Sequence, residues 1–228
     1  MVEQEQPAFV LHSRPYRENQ HLVELLTQNN GKVAALAYVS HSSKSKSNKK
    51  SLLQPFLPIT VVLSGNTSLQ KLTRVEARSK SFNLVKERLY SAFYINELLV
   101  RLLPEHQINH ELFALYQESL AALSRDNSID LILRAFENQL LEELGQTFDF
   151  SVLPELQASY LHYLPDHGFQ LTNETNKHLP QYAWSELEAI ALGELSSVAV
   201  RQSYKKLMRQ VITHLLGGKP LNSRKLFK

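Results

Sequence analysis

Between residues 8 and 78 the apolar positions fall in five short runs: 8–12 (AFVLH), 22–27 (LVELLT), 32–39 (KVAALAYV), 59–63 (ITVVL) and 69–78 (LQKLTRVEAR). In the last run Leu69, Lys71, Thr73, Val75 and Ala77 alternate with Gln70, Leu72, Arg74, Glu76 and Arg78, the two-residue period of a strand. Ser13-Arg14-Pro15, Asn29-Asn30-Gly31 and Ser64-Gly65-Asn66 separate runs as turns, and Asn30-Gly31 between two apolar runs is a strong hairpin signal. Five short strands predict a small, partly open barrel, either of the OB type or SH3-like, since the strand count is the same for both.

The period changes at residues 84–103, LVKERLYSAFYINELLVRLL, long enough for about five helical turns and limited by Pro104. Val85, Leu89, Ala92, Phe93, Ile95, Leu98, Leu99, Leu102 and Leu103 cover more than one stripe, which predicts a buried helix joining the strand region to the helices beyond it. Asn109 caps a helix to about residue 123, with Leu112, Phe113, Tyr116, Leu120 and Leu123 at helical spacing. A third helix covers about 129–144 and stops at Gly145. Residues 146–184 are irregular, with turn formers among Phe148, Phe150, Tyr160, Tyr163 and Phe169, and predict short strands and loops. Ser185 with Glu188 reads as a capping box, and a last helix over about 197–216 carries Val200, Tyr204, Leu207, Met208, Val211 and Leu215 as its apolar stripe. The chain is therefore α+β: a five-stranded barrel domain over 1–81 and a helical domain over 82–228 with an irregular insert at about 146–184.

Composition is that of an ordinary globular chain, 43% hydrophobic and 21% charged. There is no cysteine, which excludes disulfides and thiolate-ligated zinc or iron–sulfur centres. The N-terminal MVEQEQPAFV is no secretory signal and no apolar run reaches a membrane span, so a cytoplasmic location is expected. The net charge of +3 is unevenly spread. Residues 1–81 hold 11 basic and 5 acidic residues, 82–176 hold 5 and 14, and 177–228 hold 9 and 3, so two basic ends flank an acidic middle. Basic ends point to a polyanion, most often nucleic acid.

Between the third and fourth runs lies SHSSKSKSNKKS (40–51), which has no apolar residue. It predicts a mobile loop whose Lys44, Lys46, Lys49 and Lys50 make sequence-blind phosphate contacts. Arg14, Arg17, Lys32, Lys71, Arg74 and Arg78 extend the basic surface, with Tyr16, Tyr38 and Phe56 as candidates for stacking on bases. Arg201, Lys205, Lys206 and Arg209 on the last helix offer a second basic surface. No enzyme signature is present: no phosphate-binding glycine loop and no serine in a G-x-S-x-G setting. A hydrolase built on His162, Asp166 and His167 is a competing reading that predicts metal uptake, and an RNA-binding or ribosome-associated OB protein is another.

AFVLHSRPYRE (8–18), GKV (31–33), LQPFLP (53–58), EA (76–77), LYSAFYINELLVRLL (89–103), LRAFENQLLEELG (133–145) and GGKPLNSRKLF (217–227), taken together and in order, resemble the bacterial recombination mediators of the RecO family. The resemblance spans nearly the whole chain. It implies an N-terminal OB-fold, a helical middle and a C-terminal region that holds a four-cysteine zinc module in many relatives; without cysteine, no metal or other cofactor is expected here. It further implies binding of single- and double-stranded DNA, annealing of complementary strands, capture of the C-terminal tail of single-stranded DNA-binding protein (SSB), joint action with RecR to load RecA, and association with the nucleoid. On this resemblance Arg134 of the LRxFE motif matches the arginine set against the SSB tail. The acidic middle of the chain would repel an acidic tail, so the groove for it must be locally positive, with Arg88 or Arg101 as further candidate cations. The expected agent is a non-enzymatic mediator of DNA repair.

Overall fold

The structure is a computed structural model; it describes residues 5–39, 49–65, 67–156 and 158–227, without the side chain of residue 49. The chain divides into two compact units, Met1–Phe136 with Leu221–Lys228, and Glu137–Pro220.

In the first unit five strands close a barrel: β1 (Gln6–Arg17), β2 (Gln20–Thr27), β3 (Gly31–Tyr38), β4 (Ile59–Ser64) and β5 (Leu69–Ala77), with the short α1 (Lys49–Leu52) between β3 and β4. The order around the barrel is β1-β2-β3-β5-β4, with β1 returning to pair β4 and only β3–β5 parallel. That circuit is the OB arrangement and resolves the OB-or-SH3 alternative. The hairpin at Asn30-Gly31 forms as predicted: Thr27 pairs Gly31 and Gly31 takes φ +66°. The turn expected at Ser13-Arg14-Pro15 does not form. β1 instead runs on to Arg17, with Arg14 opposite Leu22, Pro15 opposite His21, and a register shift before Arg17. Only Gln6–Ala8 of β1 pair with β4, so the distal half of β1 has one free edge, where a residue without an N–H is tolerated.

β1 is apolar on both faces, as AFVLH dictates. Ala8 and Val10 join Val23, Leu25, Ala35, Val61 and Val75 inside the barrel. Phe9 points the other way, with its ring 5.0 Å from Tyr116 and 5.7 Å from Phe113. The helices it meets are α2 (Glu87–Leu102) and α3 (His110–Leu123). Asn96 of α2 donates to the Leu11 carbonyl at 2.9 Å and accepts from the Tyr116 hydroxyl at 2.7 Å, so one buried asparagine links strand, central helix and third element. α2 buries Ala92, Tyr94, Ile95, Leu98 and Leu99, whereas Phe93 is exposed, as is Val85 just before the helix begins. Asn109 caps α3 as expected, accepting from Leu112 N at 2.6 Å. The C-terminal segment returns to this unit as a 3-10 turn, Ser223–Phe227, with the Phe227 ring 5.6 Å from Tyr90 of α2.

The unit boundary falls inside α4 (Ile129–Glu143), which Gly145 closes with φ +65° while Gln146 N bonds back to Leu141 O at 2.8 Å. The second unit holds a 3-10 turn (Phe150–Glu155), a small sheet of order β7-β6-β8, α5 (Trp184–Ala191) and α6 (Val198–Leu215). Its strands are β6 (Tyr160–Leu164), β7 (Gly168–Gln170) and β8 (Gln181–Ala183). The core joins Leu161, Tyr163, Phe169 and Tyr182 to Leu187, Leu207, Met208 and Val211. The capping box predicted at Ser185 is absent. β8 runs straight into α5, Trp184 N bonds Ser159 O at 3.0 Å, and Ala183 occupies the cap position with no side-chain bond.

Candidate nucleic-acid interface

The far end of the β1–β2 ribbon gathers exposed cations and aromatics. Gln20 pairs Arg17 on one side and Tyr38 on the other, so the register sets Tyr16, Arg17 and Tyr38 at one end of the barrel. Tyr16 is 46% and Tyr38 65% exposed, and the Arg17 guanidinium lies 5.4 Å from the Tyr16 ring centre. Arg14, Lys71 and Arg78 are exposed as well. Lys44 and Lys46 lie outside the described residues, as does the side chain of Lys49; Lys50 is described and exposed.

Other members of the predicted basic surface are otherwise engaged. Lys32 is 8% exposed, and its ammonium donates to the Val100 carbonyl at 2.8 Å and the Leu99 carbonyl at 3.4 Å, the C-terminal end of α2. It is a helix-end cation and not a surface contact. Burial lowers its pKa, with the Glu24 and Glu105 carboxylates opposing. Arg74 sits between Glu5 at 2.7 Å and Glu76 at 2.8 Å. Phe56, a predicted stacking residue, is 5% exposed with its ring 5.0 Å from that of Phe93.

Beside the barrel runs a groove of about 850 Å³, between β1, α2 and the returning C-terminal segment. His12, Arg14, His21, Lys50 and Arg101 bring positive or protonatable groups to it. Leu11, Pro55, Phe93, Val100 and Leu226 supply an apolar floor. Glu97 fixes the far wall by accepting from Asn222 N and Ser223 N, both at 2.8 Å, and from the Ser223 hydroxyl at 2.7 Å, with Arg101 3.5 Å away. Burial acts to raise the Glu97 pKa, but the Ser223 and Asn222 hydrogen bonds and the Arg101 charge outweigh it and hold the carboxyl below its ordinary value. Sequence reading did not find Glu97, because its partners lie 125 and 126 residues away.

In the second unit Lys205 and Arg209 are exposed one turn apart on α6. Arg201 instead donates to Leu195 O at 2.8 Å and Ser196 O at 2.6 Å, and Lys206 donates to Gln181 O at 2.9 Å while covering the Tyr182 ring.

Comparison with known proteins decides the family. Residues 1–80 match the family described as Recombination protein O N terminal, and residues 86–225 match Recombination protein O C terminal. The chain belongs to the RecO family. A protein of Tolumonas auensis named DNA repair protein RecO is 40% identical over 227 residues, 97% of this chain and 93% of its own length. Proteins of the same name from Cellvibrio japonicus and Marinobacter nauticus are 39% and 38% identical, covering 97% and 98% of this chain and 95% and 94% of their own lengths. The resemblance read from the motifs is thus correct, and the closed five-stranded barrel lies within the stretch matched to the RecO N-terminal family.

The three arginines expected against an SSB tail do not share one place. Arg88 donates to the Leu123 and Asn127 carbonyls at 3.3 Å and to Asp126 at 2.9 Å, at the end of α3. Arg101 lies thirteen residues further along α2, about 20 Å away at helical rise. Arg134 is 5% exposed in α4, 4.0 Å from Asp130 one turn back.

In the 146–184 segment His162 is fully buried. One ring nitrogen lies 3.2 Å from Pro180 O and the other 3.1 Å from the Thr172 hydroxyl. Asp166 turns instead to His214 at 3.5 Å. Among the described residues no group of three histidines or carboxylates is placed to hold a metal ion.

Proposed function

We propose that this RecO protein is a non-enzymatic mediator of DNA repair. It binds single- and double-stranded DNA, anneals complementary strands, engages the SSB tail and acts with RecR to promote RecA loading on SSB-coated strands. The observation that carries this reading is the family match over both halves of the chain. It is supported by an OB barrel whose open end clusters Arg14, Tyr16, Arg17 and Tyr38, next in sequence to the lysine-rich segment.

Backbone contacts come from Arg14, Arg17, Lys50 and Arg78 of the barrel unit and from Lys44, Lys46 and Lys49 of the lysine-rich segment. Lys205 and Arg209 of α6 add a further cationic surface. Such contacts are blind to sequence, as annealing of arbitrary complementary strands requires, because they neutralise phosphate and do not read base edges. The tail contact rests on the motif match at Arg134, whose guanidinium suits a terminal carboxylate but whose side chain is 6% exposed beside Asp130 and has to be uncovered for that contact. RecR contact and nucleoid association follow from the family alone.

The experiment is DNA affinity as a function of salt for the wild type and for Lys44, Lys46, Lys49 and Lys50 all replaced by Ala. The slope of log affinity against log salt should flatten by up to about 3 on a single strand if all four meet phosphates. An unchanged slope removes the lysine segment from the interface. Binding of an SSB tail peptide by Arg134→Ala at wild-type strength would remove Arg134 from that contact.

A further inference from the structure

We propose that the groove between β1, α2 and the C-terminal segment takes a short unstacked run of single-stranded nucleic acid, with bases on the apolar floor and phosphates toward Arg14 and Lys50; the proposal rests on the DNA-binding reading above. Two lists of residues assigned to different partners meet in this one groove. Arg14 and Lys50 belong to the expected DNA surface and Arg101 to the expected tail contact, yet all three line it. Arg101 stands beside Glu97, whose carboxylate is also met by two backbone N–H groups and a hydroxyl of the C-terminal segment. Among the lining residues this leaves Arg14 and Lys50 against Glu24.

The floor is what selects the occupant. Leu11 is 3% exposed at the base, whereas Phe93 is 36% and Leu226 43% exposed, so apolar surface is open to a ligand. A duplex keeps its bases stacked inside and offers such a floor only phosphate and sugar. An unpaired strand offers both charges for the rim and apolar base faces for the floor, the pairing used wherever single strands are bound without sequence preference. The volume lies within the range of small-molecule sites, enough for a few unstacked nucleotides and too little for a duplex.

The test compares full-length wild type, Leu226→Ser, Phe93→Ser and Arg14→Ser by fluorescence anisotropy. Three labelled probes of equal length are used: an oligothymidylate, the same backbone with abasic sites, and a duplex. Thermal melts confirm that each variant is folded. The proposal expects wild type to bind the oligothymidylate more tightly than the abasic strand. Leu226→Ser or Phe93→Ser should weaken the oligothymidylate by about tenfold, the scale of one lost base contact, and leave the abasic strand and the duplex unchanged. Arg14→Ser should weaken both single strands. Equal losses on all probes, or no loss on the oligothymidylate in any folded variant, overturns the groove while leaving the wider DNA-binding reading intact. Wild type that binds none of the probes at low salt defeats that wider reading first.

Discussion

Lys32 donates from its ammonium to the Val100 carbonyl at 2.8 Å, tying the start of β3 to the last turn of α2. His106 N bonds back to Lys32 O at 2.9 Å, so the chain leaving α2 is held to the same residue. Lys32→Met should cost about 1.5–3 kcal/mol of stability in urea unfolding, the range for a hydrogen bond to a charged group. The salt slope of DNA binding should not change. A slope flatter by about one unit with unchanged stability would restore Lys32 to the DNA surface.

The neighbouring Gly31 is tested by a single methyl group. Its φ is +66°, and a Cβ there would lie 2.1 Å from the Gln107 carbonyl oxygen. The obstacle is backbone, so it cannot swing aside. Gly31→Ala should destabilise by more than the roughly 1–2 kcal/mol that the left-handed conformation alone costs an L-residue. A thermal melt within a degree of wild type would mean that the 104–108 strap is not packed on this hairpin.

Tyr116 should be the costliest single hydroxyl in the barrel unit. It is fully buried, and burial pushes its phenol far upward, so it stays a donor to Asn96 across the physiological range. Tyr116→Phe leaves the Asn96 side-chain oxygen without this donor, at a cost of about 1–3 kcal/mol. Asn96→Ala should remove the bond to Leu11 as well and cost at least as much; the double variant should be less than additive.

Glu97 predicts an acid-sensitive hold on the C-terminal segment. Its carboxyl titrates lower in the folded chain than the ordinary 4.5 expected when unfolded. The contribution to stability is therefore fully present above pH 4.5 and is lost as pH falls through the lower folded value. Glu97→Gln should show less pH dependence of stability over that acidic window and should speed proteolysis near residues 222–227 at neutral pH. Equal acid sensitivity in the variant would assign the effect to other carboxylates.

Much of this fold was written in local pattern. The Asn30-Gly31 turn, the Asn109 cap and the Gly145 stop each act over a few residues, and each appears where the pattern put it. The strand over 69–77 forms as well, but its alternation does not set a buried face: Leu72 and Val75, from opposite sets of that alternation, are its buried residues, because the pairing with β4 shifts register between them. What local pattern did not reveal depends on partners distant in the chain. Lys32 reads as one more basic residue until the carbonyls of α2, 67 and 68 residues on, are brought to it. Arg88 and Arg74 read as free cations until Asp126, Glu5 and Glu76 take them up. Pro15 reads as a turn because its single free edge is a property of the barrel. For the interface, the residue types were legible but their grouping was not, since the groove joins β1, α2 and the C-terminal segment.

The central claim is mediation, and the most direct measurement is annealing of complementary strands precoated with SSB from the same source, with and without this protein. A mediator accelerates the annealing, and the acceleration disappears when the SSB tail is deleted. Tight binding to naked strands without any acceleration of the coated ones would contradict it and leave a DNA-binding barrel with no mediator activity.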